Sequence, residues 1–133
     1  KLKDCVADSF RRGALEHIVK SRPKVALYTN LAQYDQSLEK YTTENEVRGD
    51  GYQPGGYQLE GGVVIETAQG FTLLFHSPVW QNATIKARGA VLYLADDANR
   101  AIRLIDFGKD IVSTAGPFTV KLPGAADGGV ITI

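Results

Sequence analysis

Side chains able to do chemistry are few in this sequence and lie far apart. His17 and His76 are the only histidines, and Cys5 is the only cysteine. A transition-metal site needs several such donors at short spacing, and neither a His-Glu-x-x-His run nor a cysteine pair occurs, so no metal and no cofactor is expected. One cysteine also forbids an internal disulfide. Cys5 would act as a nucleophile only beside a histidine brought to it by the fold; among the apolar positions of a helix it is expected to be a buried thiol. The histidines are expected at the surface or at a strand end. Asp50 and Asp96-Asp97 are carboxylates in turn-forming runs, without the spacing of a calcium loop. Gly49-Asp50-Gly51, Gly55-Gly56 and Gly61-Gly62 lack the Gly-Lys-Ser/Thr that completes a phosphate loop. Asn82-Ala83-Thr84 fits a glycosylation pattern too short to carry weight. Arg48-Gly49-Asp50 matches an integrin-binding tripeptide that turn composition explains better. No catalytic constellation emerges, and a non-enzymatic protein is expected.

Composition narrows the classes further. The chain has 133 residues, one domain's worth, with 15 Lys+Arg against 15 Asp+Glu. Zero net charge argues against a protein that grips a phosphate backbone, so no direct nucleic-acid binding is expected. A hydrophobic content of 44% suits a chain that buries a core. No apolar run approaches the roughly 18 residues of a membrane-spanning helix. The sequence contains no methionine, and the bulk of Lys1 would block removal of an initiator, so a trimmed or processed chain is expected.

Two kinds of element must position whatever the chain presents. Over residues 1–22 the apolar residues Leu2, Val6, Phe10, Ala14 and Ile18 recur every four positions, with Leu15 and Val19 alongside. That is one amphipathic helix, stopped by Ser21-Arg22-Pro23. From residue 23 to 133 the period becomes that of strands. Lys24–Thr29 is a short strand. Residues 30–56 form a long polar connection, with room for a helical turn near Leu38 and a short strand at Tyr41–Val47. Tyr57–Ile65 and Phe71–Phe75 flank a hairpin turn at Ala68-Gln69-Gly70, and Val79–Thr84 reads as an irregular link. Ile85–Leu94 is the clearest strand, with Ala87, Gly89, Val91 and Tyr93 on one face. Asp96–Asn99 turns the chain into Ala101–Phe107, and Pro117–Leu122 and Gly129–Ile133 supply two further strands. Seven or eight strands without helices between them predict a single all-β domain. The expected form is an antiparallel β-sandwich, jelly-roll-like in the sense that eight strands suit that fold.

Aromatic residues on the loops are the candidate contacts with a partner. Phe71, Phe75, Tyr93, Phe107 and Phe118 fall on strands and are expected in the core. Tyr34, Tyr41, Tyr52, Tyr57 and Trp80 lie in loop-like segments, where such side chains often anchor protein interfaces.

Several fragments carry a resemblance. Val25-Ala26-Leu27-Tyr28-Thr29 is followed by Asn45-Glu46-Val47, Gly49, Gly51-Tyr52 and Gly55-Gly56. Trp80 then precedes Ala83-Thr84-Ile85, Ala87-Arg88-Gly89-Ala90 and Tyr93. Asn99-Arg100-Ala101, Leu104–Gly108 and a closing Ile131-Thr132-Ile133 complete the pattern. Together they resemble a group of small tailed-bacteriophage virion proteins, some described as capsid cement (decoration) proteins and others as tail or tail-fibre components. The resemblance implies a structural protein on the capsid surface of the virion, assembled in the host cytoplasm. Its implied partner is the major capsid protein, bridged and stabilised across subunit joints. It also implies self-association, a dimer for a cement protein or a trimer for a tail component. A carbohydrate-binding β-sandwich using Trp80 and loop tyrosines is a further alternative from the residues alone.

Overall fold

The computed structural model describes residues 1–133. One helix, α1 (Asp8–Lys20), precedes seven strands: β1 (Pro23–Tyr28), β2 (Tyr57–Gln58), β3 (Val63–Thr67), β4 (Gly70–Leu74), β5 (Val79–Leu94), β6 (Arg100–Thr119) and β7 (Ile131–Thr132). They form a four-stranded sheet in the order β2-β1-β5-β6 and a three-stranded sheet in the order β3-β4-β7, with every pairing antiparallel. The all-β expectation with two antiparallel sheets and one helix holds at this level.

The principal core lies between the sheets. Val25, Leu27, Ala90, Leu92 and Leu94 of the larger sheet meet Phe71 and Leu73 of the smaller one, and Leu15 and Ile18 of α1 close the side. The larger sheet buries its other face as well: Ala26, Tyr28, Val91 and Tyr93 form a second cluster, covered by Tyr34, Leu38 and Tyr41 of the connection. This is why β1 reads as a continuous apolar run. A strand covered on both faces has no polar side to alternate with.

The helix is shorter than its sequence period. It begins at Asp8, and only Leu15 and Ile18 are buried. Leu2, Val6 and Phe10 are 97%, 62% and 72% exposed. Cys5, expected as a buried thiol, is exposed, because residues 1–7 precede the helix and pack on nothing that would cover it. The helix ends where expected: Ser21 is the C-cap, Arg22 turns through positive φ, and Pro23 opens β1.

Strand boundaries differ from the sequence period where backbone irregularities intervene. Residues 79–84, expected as a link, are the start of β5, and Pro117–Thr119 is the end of β6 and no separate strand. Tyr57–Ile65 breaks into β2 and β3 around exposed Glu60 and Gly61. The strand expected at Tyr41–Val47 is reduced to single bridges, Tyr28 with Glu46 and Lys40 with Arg100.

β5 and β6 form one long hairpin with an abrupt change of phase. Ala87 pairs with Ile111 and Gly89 with Asp106, so Arg88 alone faces Phe107–Asp110. A bulge of this kind moves the following residues to the opposite faces. Ile85 and Ala87 point into the principal core, and beyond the bulge Ala90, Leu92 and Leu94 do so. The alternation expected from 85 to 94, which placed Ala87 with Val91 and Tyr93, is therefore broken at Arg88-Gly89. β1 pairs only with the second half of β5, from Tyr28 opposite Gly89 to Pro23 opposite Leu94.

Candidate functional site

The first part of the long connection, residues 30–56, covers the outer face of the larger sheet, its later part runs beside β1 into the principal core, and tyrosines fasten it. Glu46 is buried, and one of its carboxylate oxygens accepts from Tyr41 Oη at 2.6 Å. Its other oxygen accepts from Tyr52 Oη at 2.5 Å and from the Gly55 amide at 2.9 Å. Tyr52 Oη accepts in turn from the Leu27 amide of β1 at 2.9 Å. From the sheet side, Tyr93 donates to the Gly55 carbonyl at 2.6 Å and Tyr28 donates to the Thr42 carbonyl at 2.6 Å. Tyr34 donates to the Glu44 carbonyl at 2.5 Å. Hydrogen bonds to a buried carboxylate contribute about 1.5–3 kcal/mol each, and losing one partner strands the others without water. Ring packing adds to them: Tyr41 stacks on Tyr93 with centroids 4.7 Å apart, and Tyr34 meets Tyr28 edge-on at 5.4 Å.

The phenols respond to this setting. Burial, with the Glu46 charge second, pushes Tyr93 up to about 12. Tyr28, Tyr41 and Tyr52 are also held above the ordinary phenol range, chiefly by burial. For Tyr41 and Tyr52 the hydrogen bond donated to Glu46 is the next cause, since it needs the proton in place.

Two glycines let the connection lie this close. Gly56 has φ +80°, and a Cβ there would stand 1.8 Å from the Val25 carbonyl oxygen. Gly51 has φ +84°, and its Cβ would stand 2.2 Å from the Asn82 carbonyl oxygen. The Gly-x-Gly-Tyr-x-x-Gly-Gly run is thus a backbone requirement, with the connection seated against β1 on one side and β5 on the other.

The residues expected to anchor a partner are mostly employed inside the molecule. Trp80 is 5% exposed and Tyr52 is 7% exposed. Their rings lie 5.9 Å apart, and Trp80 also packs edge-on against Tyr57 at 5.5 Å and Phe118 at 6.2 Å. Neither Trp80 nor Tyr52 presents an open ring face to a sugar or a protein, which corrects that expectation for both. Loop-like composition misplaced them because 79–84 is a strand, and because the Tyr52 ring turns inward from a turn. Tyr34 and Tyr41 are part-buried with their hydroxyls already bonded. Tyr57, at 40% exposed, is the one of the set that reaches solvent substantially.

Two other features are open to solvent. A cleft of about 680 Å³ runs between the start of the connection and the second half of the hairpin. Ala32, Tyr34, Arg88, Arg103 and Leu104 are among the residues that line it. A shallower hollow of about 560 Å³ adjoins it across Tyr34, Asp35 and Leu38 and carries Glu39 and Glu44. The second feature is the N-terminal arm, residues 1–7 with Phe10 on the first turn of α1. The sequence period assigned its apolar residues to a buried stripe, and the signal that separates them from Leu15 and Ile18 is positional: they precede the part of α1 that touches β3 and β4.

Several charged groups outside the connection form surface pairs. His17 Nε2 lies 3.2 Å from Asp97 Oδ2, and Arg100 Nε is also 3.2 Å from that oxygen, so the Asp97 carboxyl is held below its ordinary range. His76 is exposed and makes no ion pair. No three His, Cys, Asp or Glu side chains converge as a metal-ion cluster would, and no helix is long and apolar enough to cross a membrane. Searches for similar proteins among family profiles, curated sequences and solved structures return no match to this chain.

Proposed function

We propose that this chain is a non-enzymatic virion structural protein, a capsid cement that bridges and stabilises major capsid protein subunits on the capsid surface. One observation carries the proposal beyond the sequence resemblance. Scattered motif fragments (Tyr28, Glu46, Tyr52, Gly55-Gly56 and Tyr93) converge on a single fastening that ties residues 41–55 of the connection to the larger sheet. A protein that must fit across joints between shell subunits in many copies needs a preformed surface, because ordering loops at each contact would weaken binding. An enzyme lid has the opposite need, for mobility. Zero net charge is compatible with dense packing of copies, since it limits their mutual repulsion.

The jelly-roll-like form of the sandwich belongs to the same proposal. Its support is the long bulged hairpin, which carries β1 along its second half only and bends at the bulge between the two halves. The test is to mix purified protein with undecorated capsids of the phage that encodes it. Co-sedimentation and a raised temperature of capsid rupture are expected; absence of both overturns the proposal. Co-purification with tails as a trimer would assign the chain to the tail instead.

A further inference from the structure

The outer edges of the two sheets are not equally closed. β2 and β7 are two residues long, too short to offer a template, and β3 is in contact with α1. The remaining edge is β6, a strand of 20 residues that pairs on one side only, with β5. The connection covers its first residues: the Tyr41 amide donates to the Asn99 carbonyl at 2.9 Å, and the Ala101 amide donates to the Glu39 carbonyl at 3.0 Å. Its last part is closed to pairing by positive φ at Ala115 and by Pro117, which has no amide hydrogen. Between these, residues 102–107 carry no such protection.

Backbone bonds elsewhere fix which groups of that segment face outward. The Leu27 amide donates to Tyr52 Oη and the Leu27 carbonyl accepts from the Val47 amide, so both point away from β5. Leu27 lies opposite Ala90, and Ala90 lies opposite Ile105. The alternation of an antiparallel ladder then turns the Ala90 backbone toward β6 and makes Ala90 and Ile105 the hydrogen-bonded pair. The amides and carbonyls of Leu104 and Asp106 therefore face out, and no loop residue bonds to them. Ile102, Leu104, Ile105 and Phe107 pack on the two hydrophobic clusters of the larger sheet yet stay half-buried at its edge. An open stretch rich in isoleucine, leucine and phenylalanine, without glycine or proline, is one that another strand can join.

Register favours a second copy as the occupant. With Leu104 and Asp106 facing out, antiparallel self-pairing can place its two-fold axis at Leu104, Ile105 or Asp106. An axis at Asp106 sets that carboxylate against its own copy, and like charges directly opposite destabilise a sheet. An axis at Leu104 sets Asp106 against Ile102, the extra residue where the pairing slips between Leu92 and Tyr93. An axis at Ile105 pairs Leu104 with Asp106 twice and so uses every outward group of the segment. It also opposes Arg103 to Phe107 and Ile105 to Ile105, so no charge in the paired segment meets its like. Both charged side chains there already have partners at home: Asp106 lies 3.4 Å from Arg88, and Arg103 donates to the Val130 carbonyl at 2.7 Å. Lys109 and Asp110 lie in the bulge, outside the paired segment.

We propose that two copies of this chain join edge to edge through residues 102–107 of β6, antiparallel about a two-fold axis at Ile105, so that their larger sheets become one continuous sheet. The contact is small, and association of the weak, reversible class is expected. This names the self-association site within the structural role proposed above, and only its setting on a shell rests on that reading.

Cysteine cross-linking of the full chain tests the register. In a C5S background, I105C sets two thiols opposite each other at a non-hydrogen-bonded pair, where Cα atoms lie about 4.5 Å apart and a disulfide can close. Under mild oxidation it is expected to link at least about tenfold faster than L104C or D106C in the same background, whose copies are offset along the strand. Circular dichroism with thermal unfolding confirms that each variant is folded. The unaltered chain gives a second measurement: as its concentration rises to about 1 mM, the Leu104 and Asp106 amides are expected to gain protection from exchange, while that of Ile105, bonded to β5, is protected throughout. Fastest linking at L104C or D106C overturns the proposal, as does an unaltered chain that sediments as a monomer at that concentration with both amides exchanging freely. Protection of those amides only on capsids would give the edge to another chain and overturn it too. If pairing fails while capsids are still decorated, the pairing is wrong and the shell role stands. If copies pair but capsids stay bare, the pairing stands and the shell role falls.

Discussion

Glu46 is the residue on which the outer surface turns. Three donors converge on its carboxylate, and one of them, Tyr52, is tied to the β1 backbone. Glu46→Ala strands those donors and is expected to cost about 2–4 kcal/mol, read as a lower denaturant midpoint. Tyr52→Phe keeps the ring against Trp80 and loses only the hydroxyl, so about 1–2 kcal/mol is expected. Gly56→Ala must resolve a contact with backbone as well as positive φ, and a loss of at least about 2 kcal/mol is expected in the same measurement. The phenols add a pH dependence of definite sign. Their folded-state values lie above the ordinary 10.0, so the unfolded chain loses these protons first. Stability is then complete below about pH 10 and falls as pH rises through the folded value, about 12 for Tyr93. Unfolding midpoints against pH, alongside phenolate absorbance, check this; tyrosines that titrate as free phenols without unfolding would contradict it.

The helix and the long hairpin show what a sequence period can and cannot fix. The four-residue spacing from Leu2 to Ile18 correctly signals a helix, yet its buried face begins only where β3 and β4 lie beneath it. Nothing local distinguishes Phe10 from Leu15; the difference is tertiary. Leu15→Ala is therefore expected to cost about 2–4 kcal/mol, whereas Phe10→Ser should change stability by less than about 0.5 kcal/mol in thermal unfolding. In the hairpin, Ile85–Leu94 was legible as a strand from its alternation. The bulge at Arg88-Gly89 was not, because a bulge is defined by the partner strand and its extra residues lie at Phe107–Asp110. The same reason hid Trp80: residues 79–84 look irregular alone and become strand once β6 is beside them. The fastening was half legible. Its residues stood out as motif fragments, but their convergence needed the fold, since Tyr28, Glu46 and Tyr93 are far apart along the chain.

Across the whole molecule, the larger sheet is buried on both faces: the smaller sheet and helix cover one, and the first part of the connection covers the other. The connection has the length of a loop and the hydrogen bonding of a structural element. Amide exchange is expected to show it: Val47 and Gly55, bonded to the Leu27 carbonyl and to Glu46, should be protected nearly as well as β1, while residues 1–7 exchange at once. Rapid exchange throughout residues 30–56 would contradict a fixed outer surface.

The position of Trp80 has a practical consequence. It is the sole tryptophan, and it touches Tyr52 and Tyr57 at the far end of the connection. Its emission is therefore a built-in optical gauge of whether residues 30–56 are seated. Native protein should emit in the blue, with energy arriving from the neighbouring tyrosines. A variant whose connection lifts away while the sheets persist should shift to the red with unchanged far-ultraviolet circular dichroism, and no label would be needed to watch it happen.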